Sequence, residues 1–288
     1  MIEGYYHYVK GINYGKSGDY ETSVIEMSKA LDFAPNFTYA YYHKGIGYYH
    51  LERYLIAVKN FESAILYYPK DKFCYLGRGN SYARLLSYKQ AMWDFDMALE
   101  LDTKFVLGYY NRALASFEQR IYVDAIKDFN TALELDPNHI LSYYSRALTY
   151  YELKRYEQAI EDFNKTSEKD PKYAPTYIYR GLAYCDLKDF YNAFKDFEQA
   201  VKLMPRNPDA YYLRGTIHFE VQDYYRAILD FNETIRLNPD YVDAYLYRGH
   251  CFYAYEDYEN TTEDWKLASQ LGSEEAKINL EKYFGIKL

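Results

Sequence analysis

Eight basic residues recur in this chain at intervals of 34: Lys10, Lys44, Arg78, Arg112, Arg146, Arg180, Arg214 and Arg248. Sixteen residues after seven of them stands an acid: Glu26, Asp94, Asp128, Asp162, Asp196, Asp230 and Asp264, with Asn60 the exception. An unaccompanied cationic ladder would attract phosphate or nucleic acid. Cations that each meet an acid from their own stretch of chain should instead form internal charge-assisted hydrogen bonds, which fix register more surely than they add stability. The formal charge of −8 also argues against a nucleic-acid or anionic-membrane surface. Catalytic chemistry finds little to work with. The six histidines (His7, His43, His50, His139, His218, His250) form no His-x-x-x-His pair, and neither a glycine-rich phosphate loop nor a nucleophile elbow is present. Cys74, Cys185 and Cys251 lie too far apart in sequence for a metal or disulfide pattern, and they fit a reducing, cytoplasmic setting. The expectation is a protein that is not an enzyme and takes no cofactor and no metal.

The elements that position these charges follow from a second regularity. Pro35, Pro69, Pro137, Pro171, Pro205 and Pro239 fall on the same 34-residue ruler, which also passes through Thr103 and Ser273. A period of this length marks one supersecondary unit copied many times. With each ruler mark as position 32, eight units run over 4–37, 38–71, 72–105, 106–139, 140–173, 174–207, 208–241 and 242–275. Position 8 is Gly or Ala throughout, and position 20 is Ala in six copies. Position 24 is Phe from Phe61 to Phe231, with Met27 and Trp265 in the end copies. Small residues let two helix backbones approach and the aromatic fills the space between them. Apolar residues recur at helical spacing on both sides of a polar break such as Gly18-Asp19 or Lys188-Asp189, so each unit reads as two amphipathic helices. Proline closes the second. Ser273 suits an N-cap, and residues 276–288 are expected to complete a capping helix whose Ala276, Leu280 and Phe284 share one face. Polar Thr166, Ser167 and Lys169 make the joint after the fifth copy the weakest expected internal interface. The start of the chain leads directly into the first unit, which leaves no evident signal peptide, and no apolar run approaches the roughly 20 residues of a membrane span.

The pattern of small residue, Tyr, small residue, Phe, small residue and Pro resembles the tetratricopeptide repeat family, most cleanly over 208–241. The resemblance implies an all-α, right-handed superhelical solenoid of eight helix pairs plus the capping helix. It also implies a protein or peptide ligand held in a concave groove lined by the first helix of each pair, at positions 2, 5, 9, 12 and 13. Of the 40 tyrosines, those at positions 4, 11 and 17 are then framework. The groove stripe contains Tyr8 and Ile12 in the first copy, and Tyr39, Tyr42, Ile46 and Tyr49 in the second. Phe73, Leu76 and Asn80 follow in the third, Tyr110, Leu114, Phe117 and Glu118 in the fourth, and Tyr144, Leu148, Tyr151 and Glu152 in the fifth, with Asp186 in the sixth. So apolar a stripe should not be left facing water, which points either to aromatic anchors for a ligand or to packing between repeats. Position 13 changes from Lys16, His50 and Arg84 to Glu118, Glu152, Asp186 and Glu220, so the partner is expected to be apolar with basic residues. The set of Lys and Asn residues by which one branch of the family grips a chaperone's C-terminal carboxylate is absent from every adjacent pair of copies. The leading expectation is a non-enzymatic interaction scaffold. A self-assembling spacer and a signalling-peptide receptor are the alternatives, and the oligomeric state is open.

Overall fold

The computed structural model describes residues 2–287, and all its regular elements among these are α-helices. The chain divides into two compact units, Met1–Thr149 and Tyr150–Leu288. The first contains α1 (Ile2–Lys16), α2 (Tyr20–Phe33), α3 (Thr38–His50), α4 (Tyr54–Tyr67), α5 (Lys72–Arg84), α6 (Tyr88–Leu101), α7 (Val106–Glu118), α8 (Tyr122–Leu135) and most of α9 (Ile140–Glu152). The second contains α10 (Tyr156–Lys169), α11 (Pro175–Asp186), α12 (Phe190–Leu203), α13 (Pro208–Glu220), α14 (Tyr224–Leu237), α15 (Val242–Ala254), α16 (Tyr258–Gln270) and α17 (Glu274–Phe284). Within each unit the helices form repeated pairs. Neighbouring helices in sequence pack on one another, from α1 through α8 and from α10 through α17, and successive first helices touch, as α3 does α5 and α13 does α15.

The position-24 residue is the centre of each pair. Phe61, Phe95 and Phe129 in the first unit, and Phe197, Phe231 and Trp265 in the second, are at most 1% exposed. A methyl added at Gly45 would come within 2.9 Å of the Phe61 ring, and one at Gly181 within 2.5 Å of Phe197, so the small residue at position 8 is the receptor for that ring. Trp265 fits the same place because its indole N–H donates to the Leu246 carbonyl at 3.2 Å.

The paired charges form as the spacing anticipates, and they do more than close their own pair. Arg112 grips Asp128 through Nε and Nη2, both at 2.7 Å, and reaches back with Nη1 to Asp96 on the preceding helix pair at 2.6 Å. In the second unit Arg180 holds Asp196 and also Asn164, and Arg248 holds Asp264 and also Asn232. Each of these arginines joins three helices. Its guanidinium also lies over the position-4 tyrosine one turn earlier, 5.5 Å from the Tyr109 ring for Arg112.

The same tyrosines explain the ruler. Tyr75, Tyr177 and Tyr211 donate their hydroxyls to the carbonyls of Pro69, Pro171 and Pro205, at 2.9–3.3 Å. Tyr109 donates in the same way to Thr103 at 3.3 Å. The tyrosine uses the carbonyl of the ruler residue, so threonine can take the proline's place.

Between the two helices of a pair the chain turns through a left-handed residue. Gly18 does this in the first copy (φ 84°), but Glu52, Leu86, Arg120, Lys154, Lys188, Gln222 and Glu256 do it without glycine, at φ 58–61°. The next N–H closes the turn on a carbonyl five residues back, as from Ser87 to Tyr82 at 2.9 Å, which holds the conformation against its intrinsic cost.

α17 closes the second unit. Ser273 Oγ accepts from the Ala276 N–H at 3.2 Å, and Ala276 and Leu280 are fully buried with Leu246, Trp265 and Ala268. This helix is shorter than the expected one. It stops at Phe284 because Gly285 takes a left-handed conformation (φ 65°) and caps it, so residues 285–287 are not helical and Leu288 lies outside the described residues.

Candidate functional site

The first helices of the first unit present two adjoining clefts. The smaller, about 190 Å³, is lined by Tyr42, Ile46 and Tyr49 of α3 and by Phe73, Leu76, Gly77 and Asn80 of α5, with His50 and the edge of Phe61. The larger, about 430 Å³, takes Tyr49 and Asn80 as its near wall. It continues through Ala83, Arg84, Leu86, Tyr88 and Phe95 to Asn111, Leu114, Ala115 and Glu118 of α7. Tyr49 and Asn80 therefore form a partition shared by both.

The polar groups here are sparsely used. Asn80 has no hydrogen-bond partner for its half-buried carboxamide among the described residues. Asn111 Nδ2 donates to the Leu107 carbonyl at 2.7 Å, which leaves its oxygen outward. The Arg84 guanidinium lies 5.0 Å from the Tyr54 ring centroid, and among the described residues neither it nor exposed Glu118 makes an ion pair. Tyr49 is braced edge-on by Tyr54, ring centroids 5.5 Å apart. The result is an apolar floor, two carboxamides and one charge of each sign, which suits an extended polypeptide: backbone amides for the carboxamides, apolar side chains for the floor.

Several stripe residues are committed to the core, including two that line the smaller cleft. Leu76 is only 9% exposed and belongs mainly to the core around Phe95. Tyr110 leans on Phe129 and His139, ring centroids at 6.0 and 5.0 Å, and lines neither cleft. Tyr42 packs edge-on to Phe61 and burial raises its hydroxyl to about 12. Tyr8 rests on Phe37 at 4.7 Å, Phe117 on Tyr122 at 5.7 Å, and Ile12 on the cluster of Met27 and Ala30. Position 5 thus turns toward the position-24 ring. Exposed Tyr39 lines a separate cleft of about 640 Å³ with Tyr5, Tyr67 and Tyr68. Tyr144 and Leu148 are half-buried on α9. The sequence stripe omits Tyr88 and Asn111. Arg84 stood in the position-13 column, but Tyr88 and Asn111 reach the site only through the turn of one pair against the next.

In the second unit, Tyr151 donates its hydroxyl to Asp186 Oδ2 at 3.0 Å, and Tyr241 donates to Asp209 Oδ1 at 3.0 Å. Burial and these carboxylates together push both phenols upward. Tyr156 shares the Asp186 carboxylate, and Glu152 is exposed. The unit carries 18 basic and 25 acidic residues, against 16 and 17 in the first.

Thiol chemistry is disfavoured, since burial pushes Cys74 and Cys251 up to about 12 and Cys185 to about 11.

Comparison with known families agrees with this architecture. A tetratricopeptide repeat model matches residues 106–139 and 140–173, a TPR repeat model matches 181–222, and a further tetratricopeptide repeat model matches 212–260. The chain belongs to the tetratricopeptide repeat family, and its repeats make it a scaffold for protein–protein interaction. No curated protein matches the sequence. Among solved structures, a tetratricopeptide repeat protein from Parabacteroides merdae ATCC 43184 aligns with TM-score 0.60 at 22% identity, over 82% of this chain and 94% of its own. Pseudomonas aeruginosa pilF aligns with TM-score 0.63 at 20% identity, over 73% and 97%. YrrB, described as a TPR protein with an unusual peptide-binding site, aligns with TM-score 0.55 at 20% identity, over 65% and 96%. At such identities the likeness is one of fold. No helix among the described residues is long and apolar enough to cross a membrane.

Proposed function

We propose that this chain is a non-enzymatic scaffold that binds an extended peptide or protein segment along the first helices α3, α5 and α7. The observation that carries the reading is the shared partition: Tyr49 and Asn80 belong to both clefts, and the Asn80 carboxamide has no partner among the described residues. Apolar side chains of the ligand fill the clefts on either side, while Asn80 and Asn111 meet its backbone. YrrB offers a parallel as a repeat protein described with a peptide-binding site. The flanking positions that would supply cations for a terminal carboxylate hold Leu76, Leu141 and Ser145, so the ligand is an internal segment rather than a chaperone tail. The excess of acid in the second unit favours a partner with basic residues, steered by charge. Three cysteines with no disulfide among them are compatible with a cytoplasmic setting.

A peptide array probed with wild type and with Asn80→Ala/Tyr49→Ala tests the reading. Peptides combining apolar and basic residues should be retained by the wild type and weakened about 10- to 100-fold in the variant, the size expected for losing an aromatic anchor and a hydrogen bond. Equal retention by both proteins overturns it.

A further inference from the structure

The outward side of α1 differs from that of every other first helix. At position 3 the seven later copies hold Ala, Cys, Gly, Ser or Thr, all buried against the preceding helix pair, with Ala40, Cys74 and Ala244 at 0% exposure. At position 10 they hold Gly, Ser, Ala, Thr, Ile or Cys, again all buried. These two positions are the seam by which one pair stacks on the last. In the first copy they are Tyr6, 61% exposed, and Asn13, also exposed. Ile2 at 88% and Val9 at 39% lie on the same stripe. The other side of α1 is committed inward, since Gly4 and Gly11 are buried close against Ala30, Phe33 and Met27.

Residues 2, 6, 9 and 13 follow a 4-3-4 spacing, that of the seam between two helices packed side by side. The corresponding stacking surface at the other end of the repeat series, on α15 and α16, is already occupied by α17. A head-to-tail chain of copies therefore has no receptor for α1. A second α1 is the complementary surface that remains, and two copies meeting there close on themselves about a two-fold axis.

We propose that this face is a homodimer interface in which α1 pairs antiparallel with α1 of a second copy. With the axis between the second and third residues of the stripe, Tyr6 of each copy opposes Val9 of the other, and Ile2 opposes Asn13. Of the charges on α1, Glu3 is exposed and Lys10 is paired with Glu26, so the axis does not set a single-sign block against itself. A seam from one 15-residue helix is about 22 Å long and smaller than a standard interface, so the dimer is reversible. It is independent of the groove reading and can form with both clefts empty.

Sedimentation equilibrium of the full chain from about 1 to 500 μM tests it, since a weak dimer dissociates within that range. The wild type should show a monomer–dimer equilibrium, and Tyr6→Glu/Val9→Glu should weaken it at least about 100-fold with unchanged circular dichroism and melting. Should that variant fail to fold, Tyr6→Cys/Val9→Cys under mild oxidation should give a covalent dimer, whereas the same change at exposed Leu66 and Val123 should not. A wild-type monomer at every concentration, an undiminished dimer in the folded glutamate variant, absence of covalent dimer in the cysteine variant, or an open-ended series of larger assemblies each overturns the proposal.

Discussion

The two units build the same helix pairs from the same columns, yet they treat the polar groups on their first helices in opposite ways. In the first unit Asn80, Arg84 and Glu118 have no hydrogen-bond or ion-pair partners among the described residues, beside an apolar floor. In the second, Tyr151, which matches Tyr49 in repeat position, gives its hydroxyl to Asp186, and Tyr241, the N-cap of α15, gives its own to Asp209 of α13. One surface meets its tyrosine hydroxyls with its own carboxylates, and the other leaves a carboxamide and two charges without a partner among the described residues, although both stand on the same columns. Function in such a chain is written in what a repeat leaves unpaired, and the framework columns record only how it stands up.

The equivalence of the scaffold is the first thing to break. Phe129→Ala in the first unit and Phe231→Ala in the second should each cost about 3–5 kcal/mol, because both rings are fully buried against a small residue that cannot fill the void. Urea unfolding read by circular dichroism measures it, and a large disparity between the two would mean that the units do not share a core design. Binding should separate them next. Asn80→Ala alone should weaken a retained peptide by about 1–2 kcal/mol in fluorescence anisotropy while leaving stability within about 0.5 kcal/mol, the mark of a group unpaired until the ligand arrives.

Hydroxyl deletion probes the contrast from the other side. Tyr151→Phe and Tyr241→Phe should each lose about 1 kcal/mol of stability through the lost bond to a carboxylate. Tyr49→Phe should lose almost none, since its ring is braced and its hydroxyl has no partner. Equal losses in all three would remove the distinction between a satisfied and an open surface.

A pH effect is expected in the first unit. Burial raises the Glu26 carboxyl, but Lys29, His7 and Lys10 around it outweigh that and hold it at about 2, below its ordinary 4.5. A depressed folded value means that the ionised group stabilises the fold above pH 4.5 and that this contribution fades as the pH falls toward 2. Glu26→Gln should therefore be less stable than wild type at neutral pH, with the gap closing over that window in acid titrations. A gap that does not change with pH would show that the pairing is already present in the unfolded chain. The smallest expected difference is local. Hydrogen exchange should find the α10–α11 joint, which carries Thr166 and Ser167, less protected than α12–α13. The bond that Ser167 Oγ accepts from Arg180 at 2.8 Å works against this, so equal protection would credit that bond with restoring the joint.

Much of this was legible in the sequence. The period gives the helix pairs, the matched columns give the Arg–Asp pairs, and Ser273 gives the start of the last helix. Helical spacing could not separate position 5 from positions 9 and 12. Tyr42, Leu76 and Tyr110 share a stripe with Tyr49 and Leu114, but the tilt of one helix against its partner turns the former toward the Phe column. Nor could it bring Asn80 and Asn111 into one cleft, since they are 31 residues apart and meet only through the stacking of α5 on α7. The left-handed turn residue was hidden too, because most copies place an ordinary side chain where glycine would have announced it.

The arginine that joins three helices has a bearing on how such a chain can change its length. Arg112 has one partner sixteen residues ahead and another sixteen behind, and Arg180 and Arg248 are arranged in the same way. Removing or inserting a whole period among these copies keeps each arginine with its carboxylate sixteen residues ahead and hands it an Asp or Asn at the matching place behind. Removing any other number of residues strands a buried charge at both ends of the cut. The bonding pattern therefore acts as a ratchet on gene-level duplication and loss: growth and shrinkage in complete modules are tolerated, and fractional steps are selected against by the fold itself.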